Sequence, residues 1–439
     1  MYRISMGPLS RALVIESPHP SLDTYLSEIG IQSQRLEKVP DEDALIRALH
    51  ETQAQVLFKR SRVPVTRRVL ESCPELHAVQ LCCIGDDSVD KSACADYGVM
   101  VFNDPISNGR SVVELTVAHL IGLSRRLYET NDQMHQHFWD KSADERYEVQ
   151  GKTLGIVGLG NIGRQVARVC EALGMKIAFY DNRPVAREIG SEMGWRSFPS
   201  LEDLFGHSDM VTIHISAYDF QGRDNTNLLN PFLSLLANKR EGESPRLFLN
   251  LARGNLYTAD ALLEAVLKRQ IQYASVDVYP EEPAPGNKSW KNPYAAEPRI
   301  VCTPHIGAAT MEAQPRIARR VSSTIADFSR YGSIRDCVFD PRFALSVADE
   351  AQGQAILAVV HSTVRGTKKA VNDAIYQAGV SNLGSTHRDF EIGVAYDISY
   401  LERPLERDDL AQIAALADQL SRVPRAVRSI RQIALPKGR

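Results

Sequence analysis

Short apolar runs alternate with amphipathic segments along the first hundred residues. Runs of about four to eight apolar residues between turn signals predict strands that are covered on both faces. The segments between them, such as residues 41–51 (DEDALIRALHE), repeat their apolar residues at helical spacing. Alternation of this kind predicts a doubly wound parallel α/β sheet. The predicted strands are RALVIES, AQVLFKRS, HAVQLCCIG and VMVFN.

A second alternating unit begins at Gly151, after a helical stretch at 111–138 that reads as one rod. A later helix, about 311–331, is expected to return to the first lobe. The pattern predicts two Rossmann-like domains. The substrate-binding domain covers 1–110 and 307–336, and a nucleotide-binding domain, 111–306, is inserted into it with a cleft between them. The second set of predicted strands is KTLGIVGL, MKIAFYD, DMVTIHI, RLFLNLA, YASVDVY and RIVCTP.

The C-terminal part follows a different pattern. Residues 337–352 (CVFDPRFALSVADEAQ) mix apolar and polar residues without a period and are interpreted as a linker. Residues 353–439 give strand, helix, two strands, helix and strand in turn. The order βαββαβ predicts a ferredoxin-like domain of α/β class.

Composition narrows the possible functions. The chain has 439 residues, 44% hydrophobic residues and a net charge of −3, which excludes a broad basic surface for nucleic acid. Its sequence contains no run of the roughly 18–20 apolar residues that a membrane span requires, and the N-terminus does not resemble a signal peptide. The seven cysteines form no CxxC pair or zinc-finger spacing, so we expect reduced thiols, no metal site and a cytoplasmic location.

A glycine-rich turn suggests a cofactor. Residues 158–163 (GLGNIG) match GxGxxG between an apolar strand and an amphipathic helix, a context typical of dinucleotide binding. Asp181 ends the next strand, where a carboxylate accepts hydrogen bonds from ribose and favours NAD over NADP. Arg183 lies close enough to blur that preference, and a strand-end Asp is the structural alternative. The predicted contacts in the turn are Gly158, Gly160, Asn161, Ile162 and Gly163.

Three further residues follow apolar strands of the same unit: Arg253, Glu282 and His305. Arginine matches a carboxylate and stays charged, histidine serves as a general base near neutral pH, and a carboxylate orients that histidine. Each residue alone has a structural interpretation, as a cap partner, a solvated turn or a structural histidine. All three at successive strand ends favour the oxidation of a 2-hydroxy acid.

The segments SRVPVT, CCIGDDSVD, FNDPISNGRSVVEL, FWDK, GLGNIG, LARG, DVYPEEP and TPHIGAAT occur in the order found in one family. With them the chain resembles the D-2-hydroxyacid dehydrogenase family over nearly its whole length. The resemblance implies that NAD is the cofactor and that Arg253, Glu282 and His305 are catalytic. It also implies cofactor contacts from Ala252, Asp277 and Gly307, and substrate contacts from Arg62, Ile84, Gly85 and Asn108.

The substrate is less sharply defined. Arg62 stands beside Lys59 and Arg60, an expected group of exposed positive charges that suits a phosphorylated acid, although a solvated basic loop is the alternative. The leading expectation is oxidation of D-3-phosphoglycerate to 3-phosphohydroxypyruvate. Asp87, where the family usually has Asn, leaves room for hydroxypyruvate, glyoxylate or 2-oxoglutarate-type acids. An NAD(H)-sensing regulator of the same fold is a third hypothesis.

The family resemblance extends to assembly and regulation. Residues 353–439 resemble an ACT regulatory domain, which implies an amino-acid effector. His361 is retained there, but the turn after it differs and Ser381 replaces an expected Asn, so serine as the effector is in doubt. Trp139 and Lys141 resemble a segment that crosses to a neighbouring subunit, which implies a homodimer or homotetramer.

Overall fold

A computed structural model describes residues 2–219, 222–283, 289–341, 343–346 and 353–435. The described residues form three sheets and divide into two compact units. The first unit comprises Met1–Ser107 and Gln314–Arg439, and the second comprises Asn108–Ala313. Among the described helices, none combines the length and apolar character that crossing a membrane requires. The finer domain boundaries set out above stay a prediction.

The first unit begins with a strand followed by a five-stranded parallel sheet of order β3-β2-β4-β5-β6. The four predicted strands of this sheet are confirmed. Helix α1 and strand β3 were missing from the prediction because β3 (QSQR) is a polar edge strand with half-exposed residues. The elements are β1 Arg3–Met6, β2 Arg11–Val14, α1 Ser21–Glu28, β3 Gln32–Arg35, α2 Glu42–Thr52, β4 Val56–Lys59, α3 Arg67–Ser72, β5 Ala78–Leu81, α4 Lys91–Tyr97 and β6 Met100–Phe102.

The second unit contains a seven-stranded parallel sheet of order β13-β12-β11-β10-β7-β8-β9. Strands β11, β12 and β13 are neighbours, so their carboxyl ends meet at one edge. The elements are α5 Gly109–Ser124, α6 Leu127–His135, β7 Thr153–Val157, α7 Asn161–Ala172, β8 Lys176–Tyr180, α8 Pro184–Glu192, β9 Arg196–Ser197, α9 Leu201–His207, β10 Met210–Ile213, β11 Leu247–Asn250, α10 Ala259–Leu267, β12 Tyr273–Val276 and β13 Ile300–Cys302.

The single helical rod predicted over 111–138 is wrong. Helix α5 ends at Ser124, and Arg126 adopts a left-handed conformation with φ of 54° before α6 begins. The Arg126 guanidinium donates to both Glu129 carboxylate oxygens, at 2.6 and 2.9 Å, and to the Asp144 carbonyl at 2.9 Å. These contacts stabilise the break, which the apolar pattern alone does not reveal.

The remaining elements complete the first unit with a five-stranded sheet of order β1-β17-β14-β16-β15. The elements after residue 353 follow the predicted βαββαβ order, although the assignment as an ACT domain stays a prediction. Within the predicted linker, residues 342 and 347–352 lie outside the described residues. Residues 436–439, at the end of the predicted C-terminal domain, also lie outside them. The elements are α11 Ala313–Tyr331, β14 Ala355–Ser362, α12 Thr367–Gln377, β15 Asn382–Asp389, β16 Val394–Leu401, α13 Arg407–Ser421 and β17 Val427–Ala434.

Strand β1 was not predicted, and it joins the C-terminal sheet by pairing in parallel with β17. Arg3 on this strand is buried and donates to the carbonyls of Leu70, Cys73, Leu76 and Tyr97. A buried guanidinium is tolerated when its N–H groups are satisfied in this way. The two ends of the chain are therefore joined in one sheet, and Arg3 connects that sheet to the N-terminal part of the unit.

The two faces of the C-terminal sheet have different neighbours. On one face, Ile356, Ala358 and Tyr396 share a hydrophobic cluster with Phe102 and Phe328. On the other face, alternate residues of β14, β16 and β17 pack with helices α12 and α13. Side chains on a strand alternate between faces, so one register decides which residues each face receives.

Candidate active site

The glycine turn forms a close approach between β7 and α7. Gly158 has φ of 93°, and a Cβ there would lie 2.6 Å from the His214 carbonyl oxygen. A Cβ on Gly163 would lie 2.1 Å from the Gly158 oxygen. Helix α7 begins at Asn161, so its first N–H groups and its dipole face the turn. The turn fits a dinucleotide pyrophosphate, which needs a backbone cradle without side chains.

Asp181 follows β8 and is 5% exposed. Its Oδ1 accepts from the Arg183 backbone N–H and Nε, both at 2.9 Å, while Oδ2 accepts from Leu159 N–H at 2.8 Å and Arg183 Nη2 at 2.6 Å. Burial alone raises the pKa of Asp181, but these hydrogen bonds and the Arg183 charge lower it. The carboxylate is thus ionised and fits ribose, but the Arg183 guanidinium has to move before a ribose hydroxyl can bind.

Arg253 lies directly after β11, in a loop that Asn250 shapes. The Asn250 amide donates to the Arg253 carbonyl at 2.8 Å and accepts from the Ala252 N–H at 3.0 Å. Gly254 makes the next turn possible, because a Cβ there would lie 2.0 Å from the Tyr279 carbonyl carbon. This loop therefore holds a half-buried guanidinium at the strand end.

His305 and Glu282 are in direct contact. His305 Nδ1 lies 2.9 Å from Glu282 Oε1 and 2.8 Å from Oε2. The side chains are 47% and 37% exposed, so both remain open to solvent. A carboxylate accepts hydrogen bonds, which fixes the neutral ring with its proton on Nδ1 and a lone pair on Nε2. The structure therefore pairs two of the three residues predicted to be catalytic.

Asp277, at the end of β12, holds the loop that carries His305. Its Oδ1 accepts from the Thr303 hydroxyl at 2.6 Å and the Ile306 N–H at 2.9 Å, and its Oδ2 accepts from the Gly307 N–H at 2.8 Å. His305 has φ of 55°, a left-handed conformation that costs a non-glycine residue energy. The three bonds stabilise that conformation. The predicted contact of Asp277 with the nicotinamide amide stays a prediction.

Three residues around this loop were not singled out from the sequence: Asn250, Tyr279 and Thr303. The Tyr279 hydroxyl donates to the Thr303 carbonyl at 3.1 Å, and its backbone N–H lies 3.4 Å from Glu282 Oε1. Tyr279 thus links the segment of Glu282 to the segment of His305. All three lie inside or beside the motifs LARG, DVYPEEP and TPHIG, and this proximity was the available signal.

The predicted substrate residues of the first unit lie after β4 and β5. Arg62 is exposed, with its backbone N–H 3.1 Å from Glu16 Oε1. The Ile84 carbonyl accepts from the Asn103 amide at 2.7 Å, and the Gly85 carbonyl lies 3.3 Å from the Cys83 thiol. Both carbonyls thus accept a hydrogen bond from a nearby side chain, and the predicted contact of this backbone with substrate stays a prediction.

The expectation that Lys59 adds exposed positive charge beside Arg62 is wrong. Lys59 is fully buried, and its ammonium donates to the Arg60 carbonyl at 2.7 Å and the Ser88 hydroxyl at 2.6 Å. Burial lowers its pKa. Because Lys59 ends the apolar strand β4, its side chain enters the fold and stabilises the neighbouring loops. Arg62 remains exposed, and Arg60 beside it is half-buried.

Asn108, the first residue of the second unit, is 7% exposed. Its amide oxygen is buried and has no hydrogen-bond partner among the described residues. A buried acceptor of this kind loses hydration without compensation unless a ligand or water completes it. The observation fits a ligand-binding asparagine, which is the role predicted from the sequence.

Comparisons with known proteins agree with this geometry. Residues 117–307 match the family model of the D-isomer specific 2-hydroxyacid dehydrogenase, NAD binding domain. The chain is 30% identical to a putative D-3-phosphoglycerate dehydrogenase of Schizosaccharomyces pombe, across 94% of this chain and 86% of the relative. It is 33% identical to a D-3-phosphoglycerate dehydrogenase of Haemophilus influenzae, across 84% of this chain and 86% of the relative.

A solved structure, the TT0316 protein from Thermus thermophilus, superposes with a TM-score of 0.61 and 27% identity, covering 72% of this chain and 96% of that one. The glycine cradle and the ionised Asp181 fit the cofactor that the family model names. The chain therefore belongs to the D-isomer specific 2-hydroxyacid dehydrogenase family and is an NAD-dependent dehydrogenase.

Proposed function

We propose that this dehydrogenase oxidises D-3-phosphoglycerate to 3-phosphohydroxypyruvate. The observation that carries the proposal is the contact of His305 Nδ1 with Glu282 at 2.8–2.9 Å, beside the strand end that carries Arg253. Relatives of that name match over most of the chain and support the choice of substrate.

Each residue of the trio has one task in the proposed reaction. Arg253 binds the substrate carboxylate through its planar fork and orients C2. His305 Nε2 takes the proton of the C2 hydroxyl as the C–O bond becomes C=O, and Glu282 stabilises the resulting imidazolium. Bound NAD would supply the acceptor for the hydride that leaves C2 with its two electrons, and the glycine turn at 158–163 together with Asp181 would hold it. Asp277 keeps the His305 loop in place through this transfer.

The phosphate of the substrate needs fixed positive charge. We assign this role to Arg62, whose exposed guanidinium remains after Lys59 is withdrawn into the fold. Arginine binds phosphate through two parallel hydrogen bonds, which a lone ammonium does not provide. Asn108 is assigned to the substrate because of its buried, unsatisfied amide oxygen among the described residues.

The test is NADH formation from D-3-phosphoglycerate and from D-glycerate, its analogue without phosphate. The expected kcat/KM is at least about tenfold higher for the phosphorylated acid. Arg62→Ala is expected to raise KM for D-3-phosphoglycerate about tenfold or more while leaving D-glycerate unaffected. Arg68→Ala, which removes an exposed arginine paired with Glu42 and Asp43, is the matched control.

One observation favours a second substrate class. Burial of Lys59 leaves fewer exposed cations near Arg62 than the sequence suggested. A pocket with less positive charge suits unphosphorylated acids of the hydroxypyruvate, glyoxylate or 2-oxoglutarate type. Equal kcat/KM for D-glycerate and D-3-phosphoglycerate, with no effect of Arg62→Ala, would support this class instead.

The chain is proposed to form a homodimer or homotetramer. Trp139 is 73% exposed and Phe138 is 57% exposed, with Leu127 and Met134 also exposed nearby in sequence. Large apolar side chains exposed together are typical of interfaces. Trp139→Glu is expected to lower the mass measured by light scattering to that of a smaller assembly, whereas an unchanged mass would exclude this surface.

Two further proposals concern location and regulation. None of the seven cysteines forms a disulfide with another described residue, which is consistent with a reducing compartment such as the cytoplasm. An amino-acid effector is proposed for the C-terminal domain from its ACT-like order of elements. Calorimetry of the full chain against a panel of amino acids tests this, and absence of heat with every one would contradict it.

A further inference from the structure

Three titratable side chains meet on the helix-covered face of the C-terminal sheet. His361 lies on β14, Asp397 on β16 and His387 on β15. His361 Nε2 is 2.8 Å from Asp397 Oδ2, and His387 Nδ1 is 2.7 Å from Asp397 Oδ1. His361 and Asp397 are 1% and 3% exposed, whereas the His387 side chain is 20% exposed. The proposed dehydrogenase chemistry uses none of these residues.

The strand register of the sheet explains why His361, His387 and Asp397 are in contact. His387 and Asp397 are directly opposite each other on β15 and β16. Asp397 is opposite Val359 on β14, so His361 is its diagonal neighbour two positions along. Cross-strand and diagonal pairs on one face are close enough for long side chains to touch. Separations of 26 and 10 residues in sequence, 361 to 387 to 397, match no metal motif.

The hydrogen-bond partners of the two imidazoles are unusual. His361 Nδ1 is 2.8 Å from the Ser362 carbonyl oxygen, and His387 Nε2 is 3.0 Å from Asp389 Oδ1. Each ring therefore has an oxygen acceptor at both nitrogens. A neutral imidazole carries one proton and satisfies one acceptor, so a neutral ring without a bound cation leaves one of its two oxygen contacts without a hydrogen bond.

Two imidazolium rings side by side would repel each other electrostatically in this cluster. Their centroids are 5.6 Å apart in a stacked arrangement, and Lys368 Nζ adds a third cation 3.6 Å from Asp397 Oδ1. A divalent ion between the ring nitrogens and the carboxylate removes both inner protons. The outer nitrogens then donate to a backbone carbonyl and a carboxylate, which is the usual support of histidine ligands in metal sites.

We propose that His361 Nε2, His387 Nδ1 and the Asp397 carboxylate bind one divalent transition-metal ion of the zinc class. Two imidazoles and a carboxylate are ligands that zinc accepts, with water completing a tetrahedron. The candidate ligand atoms lie within 4.8 Å of one another. Ligands about 2.0–2.1 Å from zinc are about 3.3 Å apart, so the present contacts have to widen by about half an ångström.

Two charged neighbours bear on affinity in opposite directions. Asp389, which accepts from His387 Nε2, raises the basicity of that ligand. Lys368 opposes a cation, but its side chain is 41% exposed in the first turn of α12 and can turn toward solvent. Ions would enter from the side of His387, the most exposed of the three ligands.

The test uses the full chain, stripped with a chelator and titrated with cobalt(II) chloride and zinc sulfate. One equivalent of cobalt is expected to bind and give the absorption of a tetrahedral site. His387→Gln and Asp397→Asn are each expected to weaken the affinity for zinc at least about tenfold. His50→Gln, which removes an exposed histidine at the end of α2, is the matched control and should bind as the parent does.

A fourth variant keeps the proposal falsifiable if Asp397→Asn does not fold. Lys368→Met changes a half-exposed helix residue and removes the opposing charge, so zinc affinity should rise about threefold or more. Equal affinity in the parent, His387→Gln and Lys368→Met would overturn the proposal. So would absence of stoichiometric binding in the parent, or binding that is lost in His305→Gln instead, which would place the ion at the dehydrogenase site.

Discussion

Two histidine–carboxylate groups in this chain share contact distances of 2.7–2.9 Å but differ in everything around them. His305 and Glu282 are 47% and 37% exposed, whereas His361 and Asp397 are 1% and 4% exposed at their side chains. In the first pair the carboxylate engages Nδ1, so Nε2 can exchange a proton. In the second group, oxygen acceptors face both nitrogens of each ring. Contact with a carboxylate therefore does not decide what a histidine can do. The environment of its other ring nitrogen does.

The backbone that carries each group also differs: a loop carries His305, whereas paired strands carry His361 and Asp397. His305 lies in a loop at positive φ that Asp277 stabilises, while His361 and Asp397 lie inside paired strands. Loops at strand ends can adapt to a substrate, and paired strands hold ligands at fixed separations. The exposed pair suits proton transfer, and the buried group suits a resident ion.

The largest expected effect comes from removing the exposed base. His305→Gln keeps a similar volume but cannot take a proton, so kcat/KM for the 2-hydroxy acid should fall by about 10²–10⁴. Steady-state NADH formation measures this, with His50→Gln as the control that should match the parent. Activity within twofold of the parent would show that the two groups do not divide their tasks as proposed.

His77, a buried histidine in the first unit, provides a contrast with the exposed His305. Burial lowers the pKa of His77 to about 3, from 6.5, with a smaller contribution from the charges of Arg431 and Arg3. Below pH 6.5 the unfolded chain binds a proton that the folded chain refuses until about pH 3. The free energy of unfolding should therefore fall as pH is lowered through this window, by up to about 1.4 kcal/mol per pH unit.

Denaturant unfolding at several pH values measures this slope. His77→Gln, which cannot titrate, should flatten the slope by up to one proton relative to the parent. A slope that stays the same in His77→Gln would mean that His77 is protonated in the folded chain.

Glu282→Gln tests the partner of His305. The amide still fills the space but no longer stabilises an imidazolium, so kcat should fall about 10- to 100-fold with a smaller change in KM. Glu281→Gln, one residue earlier in the same turn, is the matched control. An equal loss in both variants would indicate that the turn as a whole matters, and not the Glu282 carboxylate.

The smallest effect concerns the loop that presents His305. Thr303→Val removes the 2.6 Å hydrogen bond to Asp277, a loss of about 1 kcal/mol, so kcat should fall about fivefold. Thr303→Ser restores the hydroxyl and should recover most of kcat. Thermal unfolding of both variants separates positioning from stability: the midpoint of Thr303→Val should fall by only about 2–4 °C, so both variants stay folded at the assay temperature while their kcat values differ. Failure of serine to rescue would exclude the hydrogen bond as the cause.

The sequence predicted most of the second unit because its signals are local. The GLGNIG turn needs a strand before it and a helix after it, and both are adjacent in sequence. Arg253, Glu282 and His305 could be expected near one another because parallel strands end at one edge. The contact of His305 with Glu282, by contrast, depends on a left-handed backbone and on the Asp277 hydrogen bonds, which arise from tertiary structure and have no local sequence signal.

What the sequence did not predict depends on tertiary contacts. Lys59 was expected to be exposed because lysine usually is. Its burial depends on the Ser88 hydroxyl, which lies in a loop 29 residues further along the chain. Strand β1 has no partner nearby in sequence, since it pairs with β17 at the other end of the chain. The His361 group depends on the register of three strands, which no short motif encodes.

The most direct measurement is single-turnover NADH formation from D-3-phosphoglycerate by the parent chain and by His305→Gln, both saturated with NAD. Transfer of the proton to His305 predicts rapid NADH formation in the parent and a rate at least about a hundredfold lower in the variant. Equal single-turnover rates, or no NADH from any D-2-hydroxy acid by a parent chain that still binds NADH, would contradict it.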